Sequence, residues 1–215
     1  MEGMIVKIAV CIVIPIALLA LMMEKWTRRA ALGTVLGCIG CLAAYYVNPL
    51  LQSWLGLSEY YLVTSTAPFT EELLKAVPVF VFSLIVSREK RDILPFAFAV
   101  GIGFAIVENS FMLAQFAETS TVLLMFIRGV GTGLMHAVST LMVGYGFWLA
   151  GRDRRMYLTG TLAALFAAMI YHGAYNAVIQ VPGIRYIGIL LPITTYAAFI
   201  FLQNRNAIKK YLSEG

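Results

Sequence analysis

Residues 62–86 read Leu62-Val-Thr-Ser-Thr66-Ala-Pro68-Phe-Thr70-Glu71-Glu72-Leu-Leu-Lys75-Ala-Val-Pro78-Val-Phe-Val-Phe-Ser-Leu-Ile-Val86. Two acids and a lysine interrupt a run that exceeds the roughly 20 residues a helix needs to cross a bilayer core. If Thr70 is an N-cap, Glu71 and Glu72 fall in a first turn, where carboxylates complement the macrodipole, and only a short segment to Val86 remains, interrupted by Pro78. If the helix begins near Leu62, both carboxylates lie about 14 Å below the surface, at 1.5 Å per residue. An ionisable group at such depth costs roughly 2.5–3.5 kcal/mol even on the lenient insertion scale, so it faces protein and serves a function. Adjacent helical residues point about 100° apart, so only one of the two glutamates is expected to aim directly at a shared centre. Lys75, four residues after Glu71, is placed to pair with it.

The rest of the chain decides which setting applies. Of 215 residues, 60% are hydrophobic and 13% charged, and mean hydropathy is +0.83. Soluble domains carry about 25% charged residues, so the composition is that of a multi-pass membrane protein. Seven stretches are long and apolar enough to span: Met4–Met23, Ala30–Leu51, Leu62–Val86, Ile93–Ala114, Val122–Ala150, Tyr157–Gln180 and Tyr186–Gln203. The loops between them are short. The expectation is one all-α transmembrane bundle over residues 1–215, its motif-bearing core at about 62–180.

The net charge of +5 is distributed as topology signals, not as a nucleic-acid surface. Lys25, Arg28 and Arg29 occupy the first loop, Arg88, Lys90 and Arg91 the third, Arg152, Arg154 and Arg155 the fifth, and Arg205, Lys209 and Lys210 the tail. The second and fourth loops, Gln52–Tyr61 and Gln115–Thr121, contain no Lys or Arg, and the sixth holds only Arg185. By the positive-inside rule this puts the N-terminus outside and the C-terminus in the cytoplasm, with anionic headgroups as neighbours of the basic loops. Lys7 precedes the first apolar run and three basic residues follow it, which favours an uncleaved helix over a signal peptide. Cys38-x-x-Cys41 lies in a span beside Gly33-x-x-x-Gly37, so it reads as a close helix contact and not as a redox pair.

Further polar residues stand inside the spans. Glu108 lies about 9 Å from the outer end of its helix and shares a face with Phe104. Arg128, Thr132, His136 and Thr140 recur every four residues, a stripe expected to face the bundle interior, with Arg128 as counter-charge for a glutamate. His172 and Asn176, one turn apart, form a donor pair suited to an oxyanion. His136 and His172 are the only two histidines. Taken singly, each group also has a structural reading as a satisfied hydrogen bond. Five polar groups on four helices at compatible depths point instead to one site, where glutamates and histidines suit water activation, directly or through a metal.

Glu71-Glu72-Leu-Leu-Lys75, then Gly103-Phe104-Ala-Ile-Val-Glu108-Asn109, then His136, then His172-Gly-Ala-Tyr-Asn176 resemble, in order and span assignment, the PrsW family of bacterial intramembrane proteases. The resemblance covers roughly Phe69 to Asn176. The wider superfamily includes the type II CAAX prenyl proteases, from which this chain departs. It has Lys75 where they carry an arginine and Glu108 where they carry a histidine, which leaves the metal-ligand set open. The resemblance implies a multi-pass enzyme of the cell membrane that cuts a membrane-anchored, single-pass protein near its extracytoplasmic face, in the manner of a first cut on an anti-sigma factor. It implies Glu71 and Glu72 as general base and ligand, Glu108 and His136 as ligands or water-positioning groups, and His172 and Asn176 at the oxyanion. The chemistry is either glutamate-activated water or a divalent metal such as zinc.

Two other functions use a buried Glu/His set: a proton-coupled transporter or channel, and a non-catalytic superfamily member that binds partner helices. Transporters often carry inverted repeats, and none is visible here. The charge pattern makes a direct test of orientation. In a background without Cys11, Cys38 and Cys41, a cysteine at Ser58 should react with an impermeant thiol reagent in intact cells and one at Ser87 should not. The reverse labelling would invert the topology.

Overall fold

The computed structural model describes residues 27–116, 118–152 and 157–213, all of whose regular structure is helical. The expected first span, Met4–Met23, lies outside the described residues. Helix α1 runs Thr27–Leu55, α2 Ala67–Ile85, α3 Lys90–Phe116, α4 Val122–Ala150, α5 Tyr157–Gln180 and α6 Leu190–Ser213. Among the described residues, five segments are long and apolar enough to cross a membrane: Arg28–Leu55, Lys90–Phe116, Val122–Ala150, Leu158–Gln180 and Ile187–Asn204. The expected Leu62–Val86 span is not among them. Its helix, α2, has 19 residues and carries Glu71, Glu72 and Lys75 along its length, so burial among its neighbours has to do what apolarity does for the other five.

Thr70 is not an N-cap. Helical backbone starts at Glu59, where Ser58 caps, passes through a π-helical turn at Leu62–Thr66, and continues into α2. Thr70 sits in the helix with its hydroxyl turned back to the Ala67 carbonyl at 3.0 Å. The π-turn leaves one carbonyl without a backbone donor. In i→i−5 bonding the Val63 carbonyl would receive the amide proton of residue 68, and residue 68 is a proline without one. Asn176 of α5 supplies the missing donor, its Nδ2 lying 2.9 Å from the Val63 oxygen. Pro78 does not end α2, just as Pro49 and Pro95 lie within α1 and α3.

Helix α3 is the central element, packed between α1 and α4. Its contact with α1 depends on glycine. A Cβ at Gly37 would stand 2.0 Å from the Val100 carbonyl oxygen, and one at Gly103 would stand 2.0 Å from that of Thr34. The Gly33/Gly37 motif is therefore a close helix contact, as its spacing indicates. Cys38 belongs to the same seam, its thiol donating to the Gly103 carbonyl at 3.3 Å, and both Cys38 and Cys41 are free thiols. Toward the opposite end of the bundle, Phe82 stacks on Phe96 at 4.0 Å within a core that includes Val79, Val100 and Phe147. The outside is apolar: Trp54, Ile85 and Ile170 are all more than 70% exposed, as expected of side chains that face lipid.

Overpacking a filled contact typically costs 1–3 kcal/mol. Gly37→Ala and Gly103→Ala should each lower the melting temperature in detergent by that equivalent, whereas Ala substitution at the open Gly183 should not. Equal melting of all three would show that the α1–α3 seam is looser than described.

Candidate active site

Glu71, Glu72, Lys75, Glu108, Arg128, His136 and His172 form one connected cluster on α2, α3, α4 and α5. Its centre is Glu72, whose side chain has no exposed surface. A single carboxylate oxygen, Oε1, accepts from Lys75 Nζ at 2.5 Å, from His172 Nδ1 at 2.8 Å and from Ser139 Oγ at 2.9 Å. The Lys75 ammonium places its three protons on Glu72, on His136 Nδ1 at 2.9 Å and on Ser139 Oγ at 3.3 Å. Lys75 was expected to pair with Glu71 four residues before it. It pairs with Glu72 instead, because i,i+3 is the side of α2 that faces α4.

Both glutamates of the pair reach the same histidine. Glu72 holds His172 Nδ1, while Glu71 Oε2 lies 3.8 Å from His172 Nε2. The expectation that only one could aim at a shared centre overlooked that an imidazole presents nitrogens on two sides. Glu71 is steadied by Asn48 of α1, which donates to Oε1 at 3.1 Å and itself accepts a short hydrogen bond from Thr70. Glu108 bridges two partners, with Oε1 receiving Arg128 Nη2 at 3.0 Å and Oε2 contacting His136 Nε2. The His136 and His172 rings stand nearly perpendicular, 4.8 Å apart, and Phe104 packs 4.9 Å from His136.

With Lys75 as an ammonium, His136 Nδ1 accepts, so its proton sits on Nε2 and points at Glu108. His172 has the opposite arrangement: Nδ1–H donates to Glu72 and Nε2 carries a lone pair toward Glu71. The expected His172–Asn176 donor pair is therefore otherwise engaged. The N–H of His172 is given to Glu72, and Asn176 is given to Val63. Of the interior stripe, Thr132 and His136 are buried, while Thr140 returns its hydroxyl to the His136 carbonyl at 2.8 Å. Asn48 and Ser139 were missed in the sequence. Ser139 is one turn past His136 and Asn48 is a polar residue inside an apolar run, so helical periodicity and burial cost would have found both.

Access to the cluster is through a cavity of about 220 Å³ lined by Glu71 and Glu108 together with Asn48, Cys41, Phe104 and Met112. Glu72, His136 and His172 are not on its wall and lie behind Glu71 and Glu108.

The family model described as PrsW family intramembrane metalloprotease matches residues 24–202. The chain belongs to this family. It is accordingly a peptidase of the membrane, a multi-pass protein whose site lies among its helices. No curated protein and no solved structure matches it.

A metalloprotease implies a metal, and the residues present fit one. Donor atoms of Glu71, His136 and His172 all lie within 4.8 Å of one another, and two imidazoles with a carboxylate are a known catalytic zinc set. The Glu72 carboxylate on His172 Nδ1 is the outer partner that orients a ligating imidazole. With Glu71 ionised, the three carboxylates would outnumber Lys75 and Arg128 by one charge, which a cation would offset. The second oxygen of Glu72 is buried without a partner. To be a ligand through Nε2, His136 would carry its proton on Nδ1, and Lys75 would then have to turn away or be neutral.

Removing one partner of a buried ion pair typically costs about 3–5 kcal/mol. Lys75→Met should therefore destabilise the purified protein by that order in a detergent melt, and Glu72→Gln in the same molecule should recover most of the loss. Failure of the second change to recover stability would show that the pair is not the coupled unit described.

Proposed function

We propose that the chain is an endopeptidase that cuts a single-pass membrane protein near its extracytoplasmic face, with the peptide carbonyl and the attacking water meeting in the cavity lined by Glu71 and Glu108. The observation that carries this reading is His172 bracketed by Glu71 and Glu72, with His136 beside it, in a cluster that this cavity reaches from outside. The loops at that end of the bundle, in which Arg185 is the single basic residue, support an extracytoplasmic cut. An anti-sigma factor, the substrate class implied by the family resemblance, is the substrate we propose.

Within the glutamate pair the roles divide by geometry. Glu72 is fully buried, and its Oε1 is taken up by Lys75, Ser139 and His172, whose tautomer it fixes, so it is a positioning residue. Glu71 lines the cavity and receives one neutral hydrogen bond, from Asn48, leaving its other oxygen for the reacting water or an ion. Glu71, His136 and His172 would hold a divalent ion such as zinc, which when bound lowers the pKa of water and polarises a carbonyl. Without an ion, Glu71 is the carboxylate best placed to take the proton of the water. Glu108 aligns His136, and Arg128 balances the charge of Glu108. Asn176 acts through the π-turn that precedes α2.

General-base help typically contributes 10²–10⁴-fold. Glu71→Gln and His172→Ala should abolish detectable cleavage of a single-pass substrate with folding preserved, and Glu72→Gln should reduce it strongly. Asn176→Ala should leave a measurable remainder. Metal analysis of the purified protein beside cleavage with and without chelator separates the two chemistries. Near wild-type cleavage by both Glu71→Gln and His172→Ala would sink the reading, as would proton-coupled transport by a protein that never generates fragments.

A further inference from the structure

A second cavity, of about 280 Å³, lies where the C-terminal ends of α3 and α5 meet the first two turns of α4. Its wall carries Arg128 and Arg185, and the Nε of each is buried with no hydrogen-bond partner. Ser120 and Gln180 add polar groups, and no carboxylate of the described residues lines it. Arg128 gives Nη2 to Glu108 on the side of the active-site cluster, so its Nε remains on a wall shared with a second guanidinium. Two guanidiniums, each with an unused buried Nε–H, suit an oxyanion that accepts a charge-assisted hydrogen bond from each.

Two observations indicate what brings that oxyanion. Met112 lines this cavity and also the one into which Glu71 and Glu108 open. The two spaces are therefore neighbours across one side chain, and a polypeptide extended through the first, at about 3.3 Å per residue, reaches the second within a few residues. In addition, Arg185 is the single basic residue in the loops that the charge pattern assigns to the outside. A positive charge there runs against the topology signal and calls for a local reason.

We propose that this cavity is a subsite for an acidic side chain of the substrate, an aspartate or glutamate a few residues from the scissile bond, bound by Arg128 and Arg185. The assignment rests on the endopeptidase reading and gives that site a sequence preference. Arg185 is a binding residue whose effect appears in selectivity between substrates.

The test uses the full-length protein in phosphatidylcholine vesicles with pairs of synthetic single-pass helices. Members of a pair differ only by Asp or Asn at one position of the extracytoplasmic juxtamembrane segment, scanned in turn, and products are read by mass spectrometry. At one position Asp should be cut on the order of tenfold faster than Asn, the size of one charge-assisted hydrogen bond. Arg185→Gln should bring that ratio near one with an unchanged melting temperature, and Arg185→Glu should transfer the preference to Lys at the same position. The absence of any Asp/Asn preference, or a preference that survives Arg185→Gln, would overturn the subsite. So would dependence on Arg185 that follows added phosphatidylglycerol instead of the peptide acid, since the occupant would then be a lipid phosphate. If the wild type cuts none of the peptides, the endopeptidase reading falls. Fluorescence-anisotropy binding of the same Asp and Asn peptides, with and without Arg185→Gln, then decides the subsite alone.

Discussion

One carboxylate oxygen organises this molecule. Oε1 of Glu72 receives a lysine from its own helix, a serine from α4 and a histidine from α5, and its side chain has no exposed surface. A charge in that position is tolerated only when its partners are complete, and a partly satisfied set is worse than none. Helices α2, α4 and α5 are therefore held in a fixed register by a polar contact, in a medium where apolar packing between helices has no solvent-driven advantage over contact with lipid. The cost of burying Glu72 and the precision of the site are the same fact seen twice.

Around that contact the bundle separates two kinds of packing. At the α1–α3 seam, close approach comes from the absence of side chains at Gly37 and Gly103, and the Arg29–Asp92 ion pair joins the two helices near one end. At the α2–α4–α5 junction, the approach is set by hydrogen bonds between charged or polar groups. Helix α3 takes part in both, carrying Gly103 toward α1 and Glu108 toward α4 from positions five residues apart. Small residues thus bring α1 near enough for Asn48 to reach Glu71, so an apolar seam determines the environment of an acidic group at the cavity.

Much of this was legible in the chain. Composition and charge alternation identified a helical membrane bundle, and the cost of intramembrane Glu and His singled out the residues that converge. Periodicity gave direction less reliably. Spacing of four assigned Lys75 to Glu71, but the contact is with Glu72, because which of two neighbouring turns meets α4 depends on helix rotation. Asn176 looked like a donor for chemistry because the sequence does not reveal that Pro68 leaves the Val63 carbonyl short of a partner. In both cases the missing information was the rotation of α2 about its axis. That rotation is set by the turn before it.

The π-turn at Leu62–Thr66 holds one residue more than an α-helical turn would, and each helical residue accounts for about 100° of rotation. A chain one residue shorter in this turn would present Phe69 and its neighbours to the bundle in a different phase, directing the two adjacent acids away from His172. Because Val79 and Phe82 of the same helix belong to the apolar core, such a chain would lose the cluster and that part of the core together. The length of 62–66 therefore sets the polar centre and the packing of α2 in one register.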